Sequence, residues 1–183
     1  RGLATLTVAP VPWHLYVLFA QALAFPGLLS FDKIWETEIY TERQGGTRTA
    51  PAAGNWPSSA GRIASVSLEY GRYPGLEFYP YPDWSGYSCL SFVSAATVPG
   101  LELSVRIDSS KQRRRRESLT ATIVVNGEPA RYRVPLTGRS SSEKQNVLDL
   151  SSISRVVVFS GSPEIGQIVH LDDFRLEMTP CGG

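Results

Sequence analysis

The stretch IVHLDDFRLEM, residues 168–178, reads as a β-strand with an irregularity at its centre. A strand turns successive side chains to opposite faces, so one face takes every second residue. Ahead of the two aspartates the apolar alternates are Val169 and Leu171. After them the apolar alternates are Phe174, Leu176 and Met178. The first set is odd-numbered and the second even-numbered, so the strand changes its buried face at Asp172–Asp173.

Working back from this strand, the chain carries further short alternating runs at 63–70, 75–79, 89–94, 101–108, 119–125, 130–135 and 155–160. YPG, PDWSG, VPG, NGEP and GSPEIG separate them as turn signals, and NGEP between two alternating runs predicts a hairpin. In SVSLEY the core residues are Val66 and Leu68. In LELSVRI they are Leu101, Leu103, Val105 and Ile107, while Glu102, Ser104 and Arg106 face the other way. RVVVFS (155–160) is apolar enough for a central strand covered on both faces. No stretch after residue 45 has helical periodicity beyond one turn. Many short strands at this spacing predict an all-β sandwich or jelly roll.

The N-terminal third differs. From Gly2 to Phe31 there is no Asp, Glu, Lys or Arg. WHLYVLFAQALAFPGLLSF, 13–31, is close to the roughly 20 residues that cross a hydrocarbon layer as a helix. The leading expectation is a transmembrane helix, with membrane contact through residues 1–31. The rivals are a secretory signal, with ALA at 22–24 as the cleavage site, and a buried core helix. Arg1 before the segment, and Asp32, Glu36, Glu38 and Glu42 after it, place the downstream part outside the cytoplasm. Residues 32–43 suit a short helix or a first strand, and the Gly-, Pro-, Ala- and Ser-rich 44–61 reads as a linker. The expected organisation is an apolar segment over 1–31, a linker or first strand over 32–55, a β-sandwich over 56–178, and a tail over 179–183.

The 183 residues, 42% hydrophobic and 19% charged, suffice for one domain with an appendage. The net charge of +1 gives no general attraction to nucleic acid. Cys89 and Cys181 lack metal-ligand spacing, and in an oxidising compartment they can form one disulfide.

Candidate binding residues concentrate in YGRYPGLEFYPYPDWSGY, 70–87. Rigid aromatic side chains are binding anchors, and their faces stack on sugar rings. Tyr73, Tyr79, Tyr81 and Trp84 form the candidate ligand set, with Arg106 as a polar contact. Arg72 and Asp83 are further polar candidates, and the competing role for Trp84 and Tyr87 is core packing. Lys111 and Arg113–Arg116 form a basic run suited to phosphate or an anionic membrane, or to a solvated hairpin loop. His170 stands beside the aspartates without a recognisable nucleophile. No GxSxG, HExxH, Walker A or GxGxxG motif is present in a suitable context.

The order YPGLEF, DWSGYSCLSF, LELSVRID, RYRVPL, LDLSSISRVVVFSG, QIVHLDDFRLE resembles the carbohydrate-binding-module-like β-sandwich with a galactose-binding-like jelly-roll fold. The resemblance covers about 56–178, and is strongest in DWSGY and LDDFRL. Complex-I-assembly-factor-like sandwiches share this strand grammar. In bacteria such a domain can follow a VanZ-like membrane domain, which would make 1–31 the end of a last membrane helix. The resemblance implies a non-catalytic module displayed outside the membrane that recognises envelope glycan or polysaccharide, or a structural module that binds a protein partner. It also implies a structural Ca²⁺ on Asp173, with Asp172 beside it and further oxygens drawn from the Glu36–Glu42 region, because a hard cation needs several oxygens. The competing account of the two carboxylates is a bulge, with Asp172 and Asp173 accepting backbone N–H groups or pairing with Arg106, Arg155 or Arg175.

Overall fold

The computed structural model describes residues 12–43, 46–52, 56, 61–68, 73–110, 118–136, 148–161 and 166–181. Among these residues are one α-helix, α1 (Trp13–Ala24), two short 3-10 helices, Ile34–Glu38 and Leu150–Ser152, and two antiparallel sheets. The first sheet runs β3 (Thr47–Pro51), β4 (Arg62–Ser67), β11 (Ile168–Glu177), β6 (Cys89–Ala96), β9 (Ala130–Pro135), with β1 (Gly27–Leu29) also on β11. The second runs β2 (Tyr40–Arg43), β5 (Gly75–Phe78), β10 (Ile153–Phe159), β7 (Leu101–Ser109), β8 (Ser118–Val125). The protein is a β-sandwich, as the alternation predicted.

The phase change in β11 has a structural cause. Asp172 stands opposite Val93 of β6, and Arg175 stands opposite Ser91, so Asp173 and Phe174 face the single residue Phe92. This is a β-bulge, with Asp173 in the left-handed region at φ 48°. On the other side of β11, residues 168–171 pair with β4, whereas Phe174 and Arg175 pair with β1. The bulge therefore sits where β11 passes from one partner to the next. Val169 and Leu171 before it, and Phe174 and Leu176 after it, all reach the core.

Phe174 stacks on Phe92 at 4.8 Å and meets Phe78 of the opposite sheet edge-on at 5.1 Å. Such pairs add about 0.5–1.5 kcal/mol beyond area burial. Val66, Leu103, Val105, Ile107, Val156 and Val158 also line the interior, and those on β4 and β7 match the alternation read there. Val157 on the far side of β10 is buried as well, while Arg155 and Phe159 on that side are only partly buried.

Three expectations need correction. The apolar 13–31 is not one membrane-crossing helix: α1 has twelve residues and stops at Ala24, and β1 follows within the first sheet. Among the described residues no helix is long and apolar enough to cross a membrane. Gln21 and Val17 hold α1 to the body, with Gln21 Nε2 donating to Tyr79 O at 2.7 Å. Within the expected linker, 47–51 forms edge strand β3, where a terminal proline is tolerated; the sheets thus draw on residues ahead of 56. NGEP does not close a hairpin, because β8 pairs with β7 and β9 pairs with β6, so the turn crosses between sheets. β7 and β8 do pair, with Asp108 opposite Ser118, and the basic run between them lies outside the described residues.

Cys89, at the start of β6, is joined to Cys181, just beyond β11. The closed loop spans a sequence separation of 92. Reduction, or Cys181→Ser, is expected to cost about 2–4 kcal/mol, seen as a lower midpoint in urea unfolding. An unchanged midpoint would show that the bond adds nothing to stability.

Candidate functional site

The outer face of the second sheet collects the polar residues that alternate with its core residues. On β5, Glu77 lies between inward Leu76 and Phe78. On β10, Arg155, Val157 and Phe159 point outward, and on β7 so do Ser104, Arg106 and Asp108. The register aligns them in rows across the strands. One row runs Thr41, Glu77, Val157, Arg106, Thr120, and the next runs Arg43, Gly75, Phe159, Ser104, Thr122. Gly75 is required in the second row, since a Cβ there would stand 2.0 Å from Val158 O.

These side chains form one ladder of opposite charges. Arg155 is its centre. Its NH2 and Nε reach Asp108 Oδ2 at 2.5 and 3.0 Å, and its NH1 lies 3.6 Å from Glu77 Oε2. Arg106 Nε donates to Asp108 Oδ1 at 2.7 Å, and Arg43 NH1 to Glu77 Oε2 at 3.3 Å. The Tyr79 hydroxyl donates to Glu77 Oε1 at 2.8 Å. That hydrogen bond, with partial burial and the nearby carboxylate charge, pushes the Tyr79 phenol above its usual range. The hydrogen bond to Asp108 likewise raises the Arg155 guanidinium. The Asp108 side chain is only 2% exposed, yet both its oxygens meet guanidinium donors, as a buried charge requires.

The candidate ligand residues divide. Tyr73 and Tyr79 are 41% and 44% exposed, and Arg106 is also solvent-facing. All three lie on this outer face, where Tyr73 meets Phe159 edge-on at 5.4 Å. Tyr73 is held at φ 70°, a costly conformation for a bulky residue. Trp84 is a correction: it is 0% exposed, its indole donates to Tyr81 O at 2.8 Å, and no ligand can stack on it. Tyr81 is half-buried against Phe25, away from the face. Arg72 lies outside the described residues. The residues missed by sequence reasoning are Arg43, Glu77, Asp108 and Arg155. For the last three the signal was present as the polar alternates of 75–79, 101–108 and 155–160.

On the outer face of the first sheet, the fully buried Asp172 accepts from Trp56 Nε1 at 3.0 Å and from the Asp173 backbone N–H at 2.7 Å. Asp173 pairs with Arg131, and with Arg175 at 3.2 Å. Among the described residues no group of three His, Cys, Asp or Glu is placed to hold a metal ion. Both oxygens of Asp172, and Oδ2 of Asp173, thus meet protein donors, as the bulge account of the two carboxylates describes. His170 Nδ1 lies 2.9 Å from the Ser65 hydroxyl, and the Trp56 ring edge is near.

Two measurements test this electrostatics. Arg155→Ala leaves Asp108 with Arg106 alone and is expected to cost about 2 kcal/mol in urea unfolding, with Arg155→Lys recovering part of it; equal stability would remove Arg155 from the centre of the ladder. Burial lowers the His170 pKa from its ordinary 6.5. The unfolded chain therefore binds this proton more readily, so the contribution of His170 is present above about pH 6.5 and lost as pH falls below it. His170→Gln should flatten that part of the stability–pH curve, and an unchanged curve would show that another group titrates.

No family model matches the chain, and no curated protein matches it in sequence. Solved structures do match. An exo-β-agarase aligns with TM-score 0.67 at 15% identity, covering 84% of this chain and 25% of the agarase, so the chain spans a quarter of that enzyme. The family 11 carbohydrate-binding module of the cellulosomal cellulase Lic26A-Cel5E of Clostridium thermocellum aligns with TM-score 0.59 at 16% identity, covering 82% of this chain and 94% of the module. A family 11 module from the same organism, solved with a β-1,3-1,4-mixed-linked tetrasaccharide, gives TM-score 0.58 at 17% identity over 82% and 95%. These likenesses are of fold: the chain has the carbohydrate-binding-module-like β-sandwich that its sequence predicted.

Proposed function

We propose that this protein is a non-catalytic glycan-binding module whose ligand lies across the outer face of the second sheet. The observation that carries the reading is the joint presence, on one strand surface, of two exposed tyrosines and the Arg43–Glu77–Arg155–Asp108–Arg106 ladder. A sugar offers an apolar ring face and a rim of hydroxyls that donate and accept. Exposed aromatic rings suit the first, and carboxylates beside guanidinium groups suit the second. Each charge in the ladder is already oriented by its neighbour, so little side-chain entropy is lost on binding. The carboxylates share one guanidinium and do not face each other across open space, as the two carboxylates of a glycoside hydrolase do. The fold shared with carbohydrate-binding modules supports the same reading. The disulfide supports an oxidising, extracytoplasmic setting, where envelope glycan or polysaccharide is the ligand within reach.

A glycan array probed with the labelled chain, once with Ca²⁺ and once with EDTA, tests the proposal. Saturable binding under both conditions is expected. Tyr79→Ala should weaken it about tenfold with the melting curve retained. Binding that needs Ca²⁺ would return the metal reading of Asp172–Asp173. A folded protein that binds nothing on the array would leave the protein-partner role in its place.

A further inference from the structure

The ladder on the outer face of the second sheet has an unequal supply of donors and acceptors. It sets three guanidinium groups, Arg43, Arg106 and Arg155, against two carboxylates, Glu77 and Asp108, and so carries one excess positive charge. The carboxylates lie beneath the guanidinium groups. The Asp108 and Glu77 side chains are 2% and 15% exposed, whereas those of Arg106 and Arg43 are 38% and 37% exposed.

Every carboxylate oxygen of the ladder is occupied. Asp108 Oδ1 accepts from Arg106, and Oδ2 from Arg155. Glu77 Oε1 accepts from the Tyr79 and Thr41 hydroxyls, and Oε2 faces Arg43 and Arg155. The donors are not all occupied. Among the described residues Arg106 donates only through Nε and Arg43 only through NH1, while a guanidinium carries five N–H groups. Solvent therefore meets charged donors that have bonds left to make, and carboxylates that have none. Glu102 is also outward on β7, but it stands four residues from Arg106, about 13 Å along the strand and beyond the screening length of about 8 Å.

We infer that the glycan taken by this face is acidic, a polysaccharide whose sugars carry carboxylates that pair with Arg43 and Arg106. The inference rests on the glycan-binding reading above and narrows its ligand. A sugar hydroxyl fills a free guanidinium N–H with a neutral acceptor. A carboxylate is planar, can accept two bonds from one guanidinium, and forms charge-assisted bonds roughly twice as strong. Arg43 on β2 and Arg106 on β7 are three strands apart, about 14 Å, so one carboxylate cannot reach both. A chain with carboxylates on successive sugars can, with Tyr79 beside Glu77 between the two arginines.

The test is calorimetric titration of the whole chain, in EDTA, with polygalacturonate and with the same polymer after its carboxyl groups are reduced to alcohols. At low salt the acidic polymer is expected to bind at least tenfold more tightly, with the gap closing as salt is raised. Arg43→Gln leaves Glu77 with Arg155 and Tyr79 as donors, and should narrow the gap about threefold with the melting curve retained. Arg43→Lys should restore part of it. Tyr79→Ala should weaken both polymers alike. Equal binding of the two polymers would overturn the inference and leave the glycan reading standing. An acidic preference untouched by Arg43→Gln would overturn its assignment to this face. A folded protein that binds neither polymer would also overturn it, and the neutral ligands of the glycan array then decide the broader reading separately.

Discussion

The structure depends on the bulge at Asp172–Asp173. β11 is the central strand of the first sheet, and it must feed side chains into the core along its whole length while its partner on one edge changes from β4 to β1. A regular strand would send Val169 and Leu171 inward and Phe174 outward. The bulge resets the phase, and Phe174 becomes the centre of the Phe78–Phe174–Phe92 cluster that joins the two sheets. The cost of this reset falls on the two carboxylates. Asp172 is sealed from water and held by Trp56 and a backbone N–H; Asp173 takes a left-handed conformation and is clamped by two arginines. Aspartate is among the few residues that tolerate both demands.

The two faces of the second sheet divide the labour. Leu103, Val105 and Ile107 on β7, with Val156 and Val158 on β10, build the interior, and the residues between them build the outer ladder. The same alternation that fixes the core therefore fixes the positions of Arg106, Asp108 and Arg155, and a register slip of one residue would lose both together. Gly75 belongs to the same constraint. It lets β5 approach β10 closely enough for Glu77 to share Arg155 with Asp108.

Much of this was legible in the sequence, for identifiable reasons. β4 through β11 were readable because period-two alternation survives in short runs such as LELSVRI. β1 was not, because GLL adds three apolar residues to a charge-free stretch that satisfies a helix equally well. β3 was hidden among Gly, Pro and Ala. NGEP announced a chain reversal correctly, but turn chemistry says nothing about which sheet receives the next strand. The site divides in the same way. Tyr73, Tyr79 and Arg106 stand out by residue type and alternation. The ladder does not, because Glu77, Arg155 and Asp108 meet only through the order β5–β10–β7, which is not sequential. Trp84 entered the candidate set because it stands in an aromatic-rich stretch, and the structure gives it the competing role of core packing.

The disulfide has a mechanical consequence. β11 is followed within a few residues by Cys181, and Cys181 is bonded to the first residue of β6. Tension applied beyond Cys181 does not reach the end of β11 through the peptide chain alone. It enters the first sheet at Cys89, on a strand flanked on both sides. The hydrogen bonds of β11 are thus bypassed and cannot be opened one at a time from that end.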